Sequence, residues 1–173
     1  MILRTAHTVA VTALALTGLC GCGNASYRVA SASPNQAAPD FTAQSLDGHQ
    51  VTLSSLRGRV VILFLWAAWE CSDELAALDD IAARSTPQNM SVVAVSIDRN
   101  SDIVEKIART RSRWNLALLH EPTADVARRY NPRGFPAAYV IDASGTIRHA
   151  YDRVRRQELH AIEAQTQELM AKE

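Results

Sequence analysis

Glu70-Cys71-Ser72-Asp73-Glu74 holds the chain's best supply of reactive groups, one thiol set among three carboxylates. A thiolate attacks sulfur and peroxide, and a cysteine at a helix start loses its proton more readily because the free N–H groups there favour an anion. Nearby carboxylates act in the opposite sense and raise the thiol pKa. The balance points to a sluggish thiol, and a small half-buried core residue is an equally good reading of Cys71. Two-thiol disulfide exchange needs a second cysteine to release the mixed disulfide. The other cysteines, Cys20 and Cys22, lie far upstream in a leader-like segment.

The elements that must position Cys71 are legible on both sides of it. Val60-Val61-Ile62-Leu63-Phe64-Leu65-Trp66 is an unbroken apolar run, which predicts a strand buried on both faces. It passes through Ala67-Ala68-Trp69 into a helical pattern with apolar Leu75, Leu78 and Ile81, reaching about Arg84. Upstream, residues 41–46 and 50–53 flank Asp47-Gly48, a hairpin signal. Downstream, residues 91–97 form a second apolar strand, Ile103, Val104 and Ile107 mark a helix, and residues 116–119 a short strand. A short helix over 123–130 closes at Asn131-Pro132. Residues 137–141 and 146–151 then form a hairpin, and Leu159, Ile162, Thr166 and Leu169 place a last amphipathic helix on the sheet. The order predicts an α/β sandwich with a mixed sheet. Asp40, Asp98 and Asp142 read as strand-end and turn formers.

The N-terminus reads as a targeting segment over residues 1–21. One arginine precedes a short apolar stretch, too short to anchor as a span, and Leu19-Cys20-Gly21-Cys22 resembles a bacterial lipobox with Cys22 as the lipidated residue. Cleavage there spends Cys22 on lipid, leaves Cys71 as the only thiol and precludes an internal disulfide. Residues 22–38, rich in Ser, Ala, Asn and Pro, read as a flexible tether, followed by one domain over 39–173. The full chain carries 18 basic and 18 acidic residues. That balance argues against nucleic acid or an anionic membrane surface as a partner, and Arg109, Arg111, Arg113, Arg128, Arg129 and Arg133 read as solvated faces.

Ala38-Pro39-Asp40-Phe41, Leu46-Asp47-Gly48, residues 51–58, residues 64–69, Val93-Ala94-Val95-Ser96-Ile97-Asp98, Gly134-Phe135-Pro136 and Tyr139-Val140-Ile141-Asp142 with Ser144-Gly145 together carry a resemblance. In this order they resemble the envelope-anchored thiol–disulfide oxidoreductases of the thioredoxin superfamily, relatives of the peroxiredoxins. The resemblance implies a thioredoxin-like sandwich: a central mixed sheet flanked by helices, with an N-terminal hairpin extension. It also implies a cis proline at Pro136 beside the site, with the backbone of Phe135 offered to a bound peptide and Trp69 lining the same groove. Where relatives carry Trp-Cys-x-x-Cys, this chain has one cysteine. Aligned without a gap from Trp69, Glu70 and Asp73 replace both cysteines. Relatives, however, have Cys-x-x-Glu-Leu-x-x-Leu, which Cys71-Ser72-Asp73-Glu74-Leu75-Ala76-Ala77-Leu78 reproduces. A two-residue slip would turn the apolar helix face by roughly 200°, which favours this second alignment. Cys71 then takes the place of the buried, resolving cysteine, Glu70 that of the attacking one, and Glu74 that of the family's glutamate.

The sequence thus predicts a lipid-anchored envelope protein, facing the periplasm or cell exterior, that has lost the two-cysteine site. Its expected role is to bind a peptide or protein partner at the groove beside Phe135-Pro136, with neither cofactor nor metal. The alternative is a one-cysteine redox enzyme, a thiol oxidoreductase or a peroxiredoxin-like antioxidant, using Cys71. Cys71-Ser72-Asp73-Glu74 resembles the motif after a peroxidatic cysteine, but Ala68 and Phe64 stand where such enzymes need threonine and proline. A copper site built from Cys71 with His49 or His120 lacks a second thiolate, and both histidines are expected in solvent.

Overall fold

Seven consecutive apolar side chains leave Val60–Trp66 without a polar face, so this strand, β3, has to be covered on both sides. The computed structural model describes residues 31–68, 72–85 and 89–172, and every residue of β3 is buried in it. The preceding elements are β1 (Thr42–Ser45), β2 (Gln50–Thr52) and a 3-10 turn at Leu53–Leu56. After β3 come α1 (Ser72–Ala83), β4 (Met90–Ser96), α2 (Ser101–Ala108), β5 (Ala117–His120) and α3 (Asp125–Tyr130). β6 (Ala137–Ile141), β7 (Ile147–Asp152) and α4 (Arg156–Met170) complete the order.

The strands form one sheet in the order β2-β1-β5-β4-β3-β6-β7. β3 runs parallel to β4, from Val60 opposite Met90 to Trp66 opposite Ser96, and antiparallel to β6, with Leu65 opposite Ala137. Alternate side chains of β3 feed two cores, as the period of two in a strand demands. Val60, Ile62, Phe64 and Trp66 pack with Leu75, Leu78 and Ile81 of α1, Val104 of α2, and Leu159 and Ile162 of α4. Val61, Leu63 and Leu65 pack on the opposite face with Phe41, Leu53, Val126, Tyr130 and Tyr139. Burying one such side chain contributes about 1.5–3 kcal/mol. The architecture is the thioredoxin-like α/β sandwich that the sequence predicts. The hairpin turns at Gly48, whose φ of 91° suits glycine. β1 pairs with β5, so this hairpin extends the central sheet at its edge.

Two expectations from the sequence need correction. The tether drawn over residues 22–38 is docked over its second half. Ala32 donates its N–H to the Tyr130 carbonyl (2.9 Å), Asn35 to that of Ile147 (2.7 Å), and Ala38 to that of Gly145 (2.9 Å). Ala37 makes an antiparallel bridge to Thr146, and Ala32 and Ala38 are buried. This strap is held by backbone pairing and by alanines small enough to lie close to β7, so it leaves no apolar period to read. Its first half, residues 22–30, lies outside the described residues, as does Cys22. Arg111, second, is half-buried and engaged rather than solvated, while Arg109, Arg113, Arg128, Arg129 and Arg133 are exposed as expected. Arg111 reaches the buried Asp79 (2.8 Å) and lies over the Trp114 ring, Arg109 pairs with Glu105, and Arg128 and Arg129 pair with Asp125. Asp79 also accepts the N–H groups of Asn115 (2.5 Å) and Leu116 (3.1 Å), which ties α1 to the start of β5. A carboxylate this deep requires such donors.

Candidate functional site at the carboxyl end of the central strand

The register of Leu65 opposite Ala137 brings the end of β3 beside the loop that enters β6. That loop carries a cis Phe135-Pro136 peptide bond, as the resemblance implies. Pro136 is buried and accepts a hydrogen bond from the Val154 N–H (2.8 Å), while Asp152 accepts the Arg133 N–H (2.9 Å). The turn after β7 therefore holds the loop from behind. Phe135 is half-buried, and no hydrogen bond engages its backbone N–H or C=O among the described residues.

On the other strand, Trp66 and Ala67 are fully buried, and the chain turns at Ala68. The Trp66 indole N–H has no partner among the described residues. Asp98 fixes the turn. Its Oδ2 accepts the Ala68 N–H (2.9 Å) and the Ser96 hydroxyl (2.7 Å), at only 4% exposure. The Ser96 Oγ in turn accepts the Asp98 N–H (3.1 Å). The Asp98 carbonyl accepts a hydrogen bond from His120 Nε2 (2.7 Å), which places an N–H on that ring nitrogen. His120 is thus half-buried and bonded, not free in solvent as its strand-end position suggests, whereas His49 is exposed. Asp98 is a clamp between β4 and the site junction, a role its reading as a turn former missed. A polar Ser96 at the end of an apolar strand, followed two residues on by Asp98, is the signal that could have found it.

Of the residues that the sequence singled out, Trp69, Glu70 and Cys71 lie outside the described residues. Glu74 sits half-buried in the first turn of α1 next to the exposed Asp73, and Leu75 and Leu78 are both fully buried. That is the helix phase on which the preferred alignment rests. Phe64, at the place where a peroxidatic site carries proline, lies wholly inside the core, and Ala68 offers no hydroxyl.

The remaining carboxylates serve the frame. Burial acts to raise the Asp142 pKa, but hydrogen bonds from Ser144, Thr146 and Arg148 outweigh it and hold it below the usual value. At Asp40 burial again pushes upward, and the bonds from Ser54 and Phe41 prevail. Burial raises the phenols of Tyr130 and Tyr139 well above their ordinary range, so both stay neutral. The Tyr130 hydroxyl donates to the Pro39 carbonyl (2.9 Å), pinning the strap. No cluster of three or more potential metal ligands occurs among the described residues.

Comparisons with known proteins agree with this geometry. Among curated proteins the chain is 28% identical to the thiol-disulfide oxidoreductase ResA of Geobacillus kaustophilus over 113 residues, 64% of each chain. It is 29% identical over 124 residues to a Mycobacterium tuberculosis protein provisionally assigned as a peroxiredoxin, covering 69% of this chain and 76% of that one. The match spans just under two thirds of the first ResA relatives. Among solved structures, a Chlorobium tepidum protein provisionally assigned as the thiol:disulfide interchange protein DsbE superposes with a TM-score of 0.75. It is 25% identical, and the match covers 81% of this chain and 99% of that one. The exposed lipoprotein thioredoxin Etrx1 of Streptococcus pneumoniae gives a TM-score of 0.63 at 25% identity, covering 76% of this chain and all of that one. The model of the AhpC/TSA family matches residues 34–150, from the docked strap to β7, and the chain belongs to that family of thioredoxin-fold redoxins.

Proposed function

We propose that this chain is a lipid-anchored envelope protein of the thiol–disulfide oxidoreductase type. In this reading it has lost the two-cysteine site and binds an extended peptide or protein partner beside Phe135-Pro136. The observation that carries the reading is an intact binding frame around a depleted reactive dipeptide. The cis Phe135-Pro136 loop is held from behind, the Phe135 backbone is uncommitted among the described residues, and the sequence offers a single cysteine, Cys71, where relatives have two. An extended segment can pair with a backbone N–H and C=O presented in this way, gaining affinity from main-chain hydrogen bonds. The lipobox-like Leu19-Cys20-Gly21-Cys22 supports the anchor on Cys22. Fluorescence anisotropy of the full-length protein against labelled alternating Val/Thr peptides tests the groove. Saturable binding that weakens in Phe135→Ala, with unchanged circular dichroism, is the expected result. Absence of binding to the wild-type protein contradicts the reading.

A second reading, one-cysteine redox chemistry at Cys71, is favoured by the likeness to the provisionally assigned peroxiredoxin. In that scheme Cys71 thiolate takes an oxygen atom from peroxide, giving sulfenic acid and water; one external thiol then displaces water to form a mixed disulfide, and a second releases the Cys71 thiol and leaves as the external disulfide. Phe64 and Ala68 argue against it, because neither supplies a donor to polarise the peroxide. Trapping of a sulfenic acid on Cys71 at stoichiometric peroxide would raise this reading above the first.

A further inference from the structure

The turn between β7 and α4 carries a cation that the frame does not use. Arg153 has a φ of 54°, a left-handed conformation uncommon outside glycine and asparagine. Its side chain lies across Gly134: a Cβ there would come within 2.7 Å of the Arg153 Cγ and 2.8 Å of its Nε. The next residue, Val154, donates its N–H to the Pro136 carbonyl, so Arg153 sits on the element that backs the cis-proline loop. Arg133, immediately before Gly134, is also exposed, and only its backbone N–H is held, by Asp152. Neither guanidinium is paired with a carboxylate among the described residues, a state they share with Arg155 and Arg156 just downstream, and Arg153 differs in lying over Gly134 beside the cis-proline loop. Backbone strain at functional sites persists when the surroundings fix it for a purpose.

We infer that Arg153, with Arg133 beside it, is a specificity determinant that selects partners whose extended segment carries an acidic side chain next to the residue paired with Phe135. This rests on the partner-groove reading above and adds the chemistry of the partner. The planar guanidinium offers several N–H donors in a fork that matches a carboxylate, and Gly134 leaves room for its stem to lie flat against the loop. The carboxylates Asp73 and Glu74 sit instead at the start of α1, and Asp152, beside the two arginines, is engaged by the Arg133 N–H.

The test uses the full-length protein and three labelled peptides that differ only in a central Glu, Gln or Lys within an alternating Val/Thr frame. Glu is expected to bind about two- to fivefold more tightly than Gln, the range of an exposed ion pair, and Lys more weakly than either. Salt should erase the preference. Arg153→Gly removes the cation at a φ that glycine accommodates, so its folding is not at risk. It should bring the affinity for the Glu peptide down to that for the Gln peptide in the same variant. Arg153→Lys should retain part of the preference. If all three peptides bind alike, or the Glu preference survives in Arg153→Gly, this inference is overturned and the groove stands. If no peptide binds the wild-type protein, the groove itself is refuted and this inference with it.

Discussion

Replacing Asp98 by alanine should cost more than its place outside helix and strand suggests. The substitution removes one carboxylate oxygen that serves two donors, the Ala68 N–H at 2.9 Å and the Ser96 hydroxyl at 2.7 Å. Ser96 is fully buried and Asp98 nearly so, so water replaces the lost acceptor poorly. Leaving a buried polar group unpaired costs about 1–3 kcal/mol. Two such groups, one of them at the half-buried Ala68, give a loss of about 2–4 kcal/mol, a large share of a stability of about 5–15 kcal/mol. Asp98→Asn keeps an acceptor oxygen in place and should lose about 1 kcal/mol, the difference between a charged and a neutral acceptor. Urea unfolding followed by tryptophan fluorescence reads both variants. The expected pattern is a lowered midpoint with an unchanged m-value, larger for alanine than for asparagine. A loss below about 0.5 kcal/mol in Asp98→Ala, the level of an ordinary surface substitution, would refute the clamp.

Other consequences follow from the same contacts. Deleting residues 31–38 strips backbone pairing from Tyr130, Gly145 and Ile147, and should lower the melting temperature and speed amide exchange along β7, measured by hydrogen–deuterium exchange. Tyr130→Phe, which frees the Pro39 carbonyl, should cost about 0.5–1.5 kcal/mol in the same urea assay. Asp142 has a folded-state pKa below its unfolded value, so the unfolded chain binds more protons as the pH falls. Its contribution is present above the unfolded carboxylate value, about 3.9, and is lost as the pH drops through the lower folded value. Asp142→Asn should therefore be less stable at neutral pH, and its stability should decline less steeply below pH 4 in acid titrations monitored by circular dichroism.

How much of this was legible in the sequence depends on which interactions hold each part. β3, β4, β6 and the leucine phase of α1 are fixed by apolar patterning, and patterning is what a sequence displays. The strap at residues 31–38 is held by backbone hydrogen bonds and two small alanines, which any polar linker could imitate. α3 begins at Asp125, two residues later than its pattern suggests, because Ala124 takes a left-handed conformation and the buried Glu121 accepts the N–H groups of Thr123 and Val126. Asp98 read as a turn former because the Ala68 N–H that it holds lies 30 positions away along the chain, and the Arg111 partner of Asp79 is 32 positions from it. The cis-proline loop was read through resemblance. The arginine beside it could not be, because the left-handed turn that lays Arg153 over Gly134 leaves no mark in composition or period.

Insulin reduction in the presence of a small-molecule reductant probes the loss of dithiol chemistry most directly, comparing the full-length protein with its Cys71→Ser variant. A lone thiol set among carboxylates is a sluggish nucleophile with no second cysteine beside it to release an adduct, so it adds nothing to direct attack by the reductant, and the account predicts a rate indistinguishable from reductant alone and identical for both proteins. Repeated, rapid turnover that disappears in the Cys71→Ser variant would contradict it.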